Sequence, residues 1–441
     1  MDLLKDSAAA NETSSDNKLK TSSAQETKSK FTNMSGKRII ENISLAQSNL
    51  HSLPNGFIEY ISKLVDLDLS NNGLRTLPKS LNMLKKLVSL NLNNNQFSSI
   101  PNVICELYNL ENLWASENKI KYLPYNLGNL SKLETLSLNV NQLKDLPNSY
   151  EKLNQLKVCR LSTNKFKKIP NCIARGMKSL QILEFSQNNC MNLDVYPKSI
   201  NLTTFYAEEN DICPSFPNWI LCSGYRKLET VSLNKTRFET FYQPTKTSIC
   251  YVKKLFMKEC DLNTKMVEVI IAGMINLEEL VLGNKRILYQ NYFSIMPINT
   301  KQQPCSLKEL DMQNAGIPRV PKIIKRFFNL INLNLSCNNI FYLPDEICTL
   351  TNLITLIIDR NHLSTLPKKF GNLTSLKELK LCHNQLIKLP FSMKSLRNLE
   401  YMDLYDNQFL VIPTVVLFLR KLRGVDLEQN NFSTEDVAVR V

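Results

Sequence analysis

The sequence predicts an α/β repeat fold: a single horseshoe-shaped solenoid of about 17 short coils, with a parallel β-sheet lining its concave face. Three observations predict it. The pattern L-x-x-L-x-L-x-x-N-x-L-x-x-L-P returns every 23 residues from Leu64 through Leu87, Leu110 and Leu133 to Leu156, and again from Leu330 to Leu422. Its L-x-L segment alternates as a short strand does, with leucines pointing inward and the x residues outward. The ninth position holds Asn72, Asn95, Asn118, Asn141, Asn164, Asn188 and Asn210 in one run and Asn338, Asn361, Asn384, Asn407 and Asn430 in another.

Each element follows from those constraints. One coil is too small to bury its own leucines, so stacked coils must share one core. The ninth-position amide lies where the strand turns away and can satisfy backbone groups that would otherwise be buried unpaired. The Leu-Pro that follows prevents a regular helix across the turn and sends the chain to the convex side.

Residues 1–37 are rich in Ser, Thr, Asn and Lys and are read as a disordered polar tail. Residues 38–188 form a regular block. Residues 189–306 form an irregular one, with copies starting at Leu202, Leu228, Val252 and Leu277 and the ninth position occupied by Thr236, Cys260 and Lys285. The copy from Leu277 to Leu307 is 30 residues long, and the excess is expected in a loop near 287–306, a drifted stretch or a docking loop. Residues 266–274 (MVEVIIAGM) look helical. Residues 307–441 return to the regular pattern, with Ser433–Val441 as a short C-terminal cap.

The formal net charge is +14, yet the register divides it unevenly. Positions 2, 3, 5, 7 and 8 of each copy should lie on or beside the concave sheet, and over 17 copies they hold 11 Lys/Arg and 22 Asp/Glu. An acidic concave face disfavours nucleic acid and steers a basic or mixed-charge protein partner toward it. The basic remainder is dispersed over the convex side, where it keeps the chain soluble or meets acidic lipid.

Position 5 is the centre of the strand. Trp114, Arg160, Tyr206 and Phe256 stand there on alternate copies, and these residue types are enriched at, or suited to, interface hot spots. They are candidate protein-binding residues; tolerated surface aromatics are the other reading. A second candidate patch, Tyr401, Asp403, Tyr405, Asp406, Asp426 and Glu428, suits a partner bearing Arg or Lys, or else discourages stacking at an exposed edge strand.

Enzyme chemistry is not expected. There is no Gly-rich phosphate loop and no HExxH, and the three histidines fall in separate copies. The adjacent Cys382 and His383 are at most a weak hint of a metal pair. No catalytic residue, metal or cofactor is implied. The 12 cysteines show no disulfide or metal spacing, no apolar stretch reaches 18 residues, and the N-terminus lacks a signal-like core. A monomeric cytoplasmic protein without a membrane span is the expectation.

Copies such as LPKSLNMLKKLVSLNLNNNQFSSIP and LPDEICTLTNLITLIIDRNHLSTLP resemble the intracellular LP type of leucine-rich repeat. That type occurs in Ras/Raf scaffold proteins, Ras suppressor proteins and LAP proteins such as Scribble and Erbin. The resemblance covers nearly the whole chain, most weakly over residues 189–306. It implies a non-enzymatic scaffold in signal transduction that holds proteins, small GTPases among them, on the concave face. It transfers no individual binding residue. A structural component of a cytoskeletal or axonemal assembly is the alternative.

Overall fold

The computed structural model of the chain describes residues 40–53, 56–210, 212–241, 249–285, 290–298 and 306–432. The predicted N-terminal tail and C-terminal cap therefore lie outside the described residues. So does part of the expected loop, at residues 287–289 and 299–305.

Seventeen three-residue strands form one parallel sheet. Each strand pairs with that of the next copy, from Asn42–Ser44 against Asp66–Asp68 to Tyr401–Asp403 against Gly424–Asp426. In every copy the strand occupies positions 3 to 5 of the sequence pattern. The register holds through the irregular block, where Thr204–Tyr206, Thr230–Ser232 and Lys254–Phe256 are consecutive neighbours. The inward side chains, such as Leu136 and Leu138, are wholly buried in a single core cluster that extends from Leu53 to Leu419.

The asparagine ladder forms as the spacing requires. Asn141 donates to the carbonyls of Ala115 (2.9 Å), Leu138 (3.1 Å) and Asn139 (3.2 Å) and accepts from the Ile120 amide (2.9 Å). The residue just before each asparagine of the two regular runs is left-handed, with φ 55° at Glu117, 54° at Val140 and 56° at Thr163. That conformation is unfavourable for a β-branched side chain. The rung's four hydrogen bonds hold it there and turn the chain sharply off the sheet.

On the convex side most of the clean copies run into a single turn of 3-10 helix after the proline. The proline fixes φ, and its carbonyl accepts from the amide three residues on, as in Leu81 to Pro78 (3.1 Å) and Tyr150 to Pro147 (3.0 Å). Gly371 lets neighbouring convex turns touch, because a Cβ there would lie 1.9 Å from the Ser392 carbonyl oxygen.

The irregular block departs on this side. Helix Thr264–Ile271 is capped by Asn263, whose side chain accepts from the Met266 amide (3.1 Å), so the helix begins two residues before the expected segment. A small parallel sheet joins Cys213–Ser215 to Phe238–Thr240 just after the ladder, an element that the repeat pattern does not announce.

The ladder also continues by other means. The Thr236 hydroxyl donates to the Ala207 carbonyl (3.0 Å), and the Cys260 thiol points at the Leu233 carbonyl (3.1 Å). In the long copy the rung is not Lys285, which counting places at the ninth position and which is exposed. Asn291 takes the place: it donates to Met257 (2.6 Å) and Leu282 (2.8 Å) and accepts from the amides of Cys260 (3.1 Å) and Leu262 (2.9 Å). The extra residues thus enter between strand Glu279–Val281 and its rung.

Candidate protein-binding face

The register sets Trp114, Arg160, Tyr206 and Phe256 on one column, each separated from the next by a single intervening strand residue. Trp114 pairs with Ser137, which pairs with Arg160; Glu184 leads to Tyr206, and Ser232 to Phe256. All four side chains are partly exposed, because odd positions of these strands face away from the leucine core. Arg160 is tethered: its Nε donates to Glu184 Oε1 at 2.9 Å. Between Tyr206 and Phe256 the Ser232 hydroxyl is bonded to the Glu208 carboxylate.

Beyond Phe256 the column continues through Val281, Asp311, Asn334 and Ile357 and borders a shallow hollow of about 290 Å³. Phe256, Val281 and Ile357 lie along it, with Leu310 and Leu333 also lining it. Glu279, Glu309, Asp311 and Lys258 supply charge around them. Lys254 pairs with Glu279 (2.8 Å) and Lys258 with Asp311 (3.2 Å). Sequence inspection singled out Phe256 but missed the hollow, because its wall comes from copies far downstream.

Ion pairs of Lys and Arg with carboxylates join side chains at the concave register positions. Several link the same position of adjacent copies, as Lys157 to Glu134 (2.7 Å), Lys253 to Glu229 (2.7 Å) and Lys308 to Glu278 (2.8 Å). Strands one ladder spacing apart bring such side chains together, so opposite charges there are mutually satisfying.

A model of the leucine-rich repeat region matches residues 48–240 and 301–402, well over half of the chain. The chain belongs to the leucine-rich repeat family. No curated protein matches this sequence. Among solved structures, a leucine-rich repeat protein of Leptospira interrogans superposes with a TM-score of 0.59 at 24% identity, over 91% of this chain and 93% of that one. The plant peptide hormone receptor RGFR1, solved in complex with RGF2, gives 0.59 at 23% identity over 86% of this chain and 61% of its own. The internalin inlF of Listeria monocytogenes gives 0.56 at 17% identity over 78% and 88%. These likenesses establish the leucine-rich repeat fold.

At the far end of the repeat array, Asp403 and Asp426 are partners across the last two strands, and Tyr401 stands opposite Gly424. Asp403 accepts from the Tyr405 amide (3.0 Å) and Asp426 from the Glu428 amide (3.0 Å). The Tyr401 hydroxyl is pushed above its usual range, first by partial burial and then by the charges of Asp403 and Asp426. His383 joins this patch, which sequence reading did not foresee: its Nδ1 lies 2.6 Å from Asp406 Oδ2, and its ring packs edge-on against Tyr405. The six expected residues are therefore neighbours.

Eleven cysteines fall among the described residues, eight of them buried. Burial pushes the thiols of Cys172, Cys190 and Cys260 up to about 12 and those of Cys105, Cys250 and Cys348 up to about 11. Among the described residues no group of three or more His, Cys, Asp or Glu is placed to hold a metal ion, and no helix is long and apolar enough to cross a membrane.

Proposed function

We propose that this leucine-rich repeat chain is a non-enzymatic scaffold that holds a protein partner on its concave column, centred on Trp114, Arg160, Tyr206 and Phe256. The observation that carries the reading is the spacing of the three aromatics, partly exposed on one column that runs into a shallow hollow. Six strand spacings separate Trp114 from Phe256, roughly 29 Å, which suits an interface of about 800 Å² per partner. The excess of acids over bases at the concave positions favours a partner with a basic or mixed-charge surface. RGFR1, whose structure holds RGF2, supports the reading as an example of this fold in a complex. The patch from Tyr401 to Glu428 is a second contact for the same partner.

Cysteines scattered without disulfide spacing fit a reducing compartment, and the LP-type copies fit intracellular signalling of the small-GTPase kind. The test is affinity capture with wild type and with Trp114→Ala/Tyr206→Ala/Phe256→Ala, both shown to be folded. Partners held by the column are lost from the variant, since each aromatic hot spot contributes about 2 kcal/mol or more. An unchanged partner set contradicts the assignment.

A further inference from the structure

We propose that one edge of the solenoid, the side on which the strands end, docks on an anionic lipid surface. In every regular copy the residues after the ladder asparagine form this edge. Hydrogen bonds between successive turns, such as Gln142 to Ile120 (2.8 Å) and Lys165 to Leu143 (2.8 Å), keep it in step with the sheet. In the N-terminal regular block it carries Lys119, Lys121, Lys144, Lys165, Lys167 and Lys168, all exposed and none in an ion pair. Lys121, Lys144 and Lys167 hold the same position in three successive copies, about 5 Å apart.

Like charges stacked in this way repel and work against folding. On the concave face, by contrast, Lys157, Lys253 and Lys308 each meet a glutamate of the adjacent copy. On the other edge, Lys132, Lys227 and Lys421 are bonded to the side-chain oxygens of Asn109, Asn201 and Asn398. Asp145 is the single acid in these three turns, so the row from Lys119 to Lys168 keeps a net positive charge for an external anion.

Further along the same edge the chemistry changes. Phe341, Tyr342, Ile387, Leu410 and Val411 occupy the corresponding turns of the C-terminal block, each more than half exposed. From Lys121 to Val411 the edge follows twelve strand spacings, roughly 58 Å of sheet. An acidic peptide answers only the basic half, and a nucleic acid has no use for Ile387, Leu410 and Val411. A bilayer with anionic headgroups answers both: the lysines meet surface charge, and the apolar side chains enter the headgroup boundary.

The test is flotation of the full chain with phosphatidylcholine vesicles, with and without phosphatidylserine. The expected result is binding only to the anionic vesicles. Lys121→Gln/Lys144→Gln/Lys167→Gln loses about a hundredfold in vesicle affinity, since each lysine near such a surface contributes about fivefold. Phe341→Ser/Leu410→Ser weakens binding at unchanged charge, and Trp114→Ala/Tyr206→Ala/Phe256→Ala leaves it intact. Failure to float with anionic vesicles overturns the proposal, as does binding that neither edge variant changes. Loss in the lysine variant alone, with displacement by polyglutamate, also overturns it and assigns the edge to an acidic protein segment.

Discussion

The regular and irregular blocks build the same sheet by different means. In the N-terminal block, Asn141 closes its rung with four hydrogen bonds from a fixed place in a 23-residue copy. In the irregular block a threonine hydroxyl and a thiol serve two rungs, and the third is filled by Asn291 from beyond the expected position. What the fold requires is a polar group at a point in space, inside the bend of each coil. Sequence spacing reports that group only while no residues are inserted between the strand and the rung.

The sharpest way to break this comparison is to remove one rung from each block. Asn141→Ala strips four hydrogen bonds, three of them buried, and is expected to destabilise by about 3 kcal/mol. Asn291→Ala is expected to cost at least as much. The clasp in which the Asn291 main-chain amide donates to Asn284 Oδ1 (2.8 Å) and Asn284 Nδ2 donates back to the Asn291 carbonyl (2.9 Å) uses only the backbone of residue 291 and is retained in the variant. Lys285→Ala, at the position that counting alone selects, should stay within about 0.5 kcal/mol of wild type. Denaturant unfolding measures all three. A costly Lys285→Ala beside a harmless Asn291→Ala would return the rung to the counted position.

A smaller effect sharpens the comparison through the cysteines, which both blocks bury. Their folded pKa values, about 11 at Cys105 and Cys348 and about 12 at Cys172, Cys190 and Cys260, lie above the usual value near 8.5 of an unfolded thiol. The unfolded chain therefore releases those protons first. Their contribution is complete below about pH 8 and is lost as pH rises through the folded values. The melting temperature should fall between pH 9 and pH 11. Replacing Cys172 and Cys190 with alanine should flatten that fall, and an unchanged slope would contradict it.

The sequence made much of this architecture legible. Positions 3 to 5 of all seventeen copies are the seventeen strands, because the leucines flanking each strand must face inward for stacked coils to share a core. The column of Trp114, Tyr206 and Phe256 follows from the same alternation. Features set by contacts between distant copies were hidden. The tether from Arg160 to Glu184 depends on side-chain reach across strands, and the hollow beside Phe256 needs Ile357, about a hundred residues away in the chain. His383 entered the acidic patch through a left-handed turn, φ 52°, that aims it at Asp406.

The concave assignment is tested most directly by a photoreactive phenylalanine analogue placed at Phe256, with the same probe at the exposed convex Phe391 as the comparison. Illumination of the complex captured by wild type should crosslink the partner from position 256 and not from position 391. Capture from the convex position alone, or equal capture from both, would contradict a partner seated on the concave column.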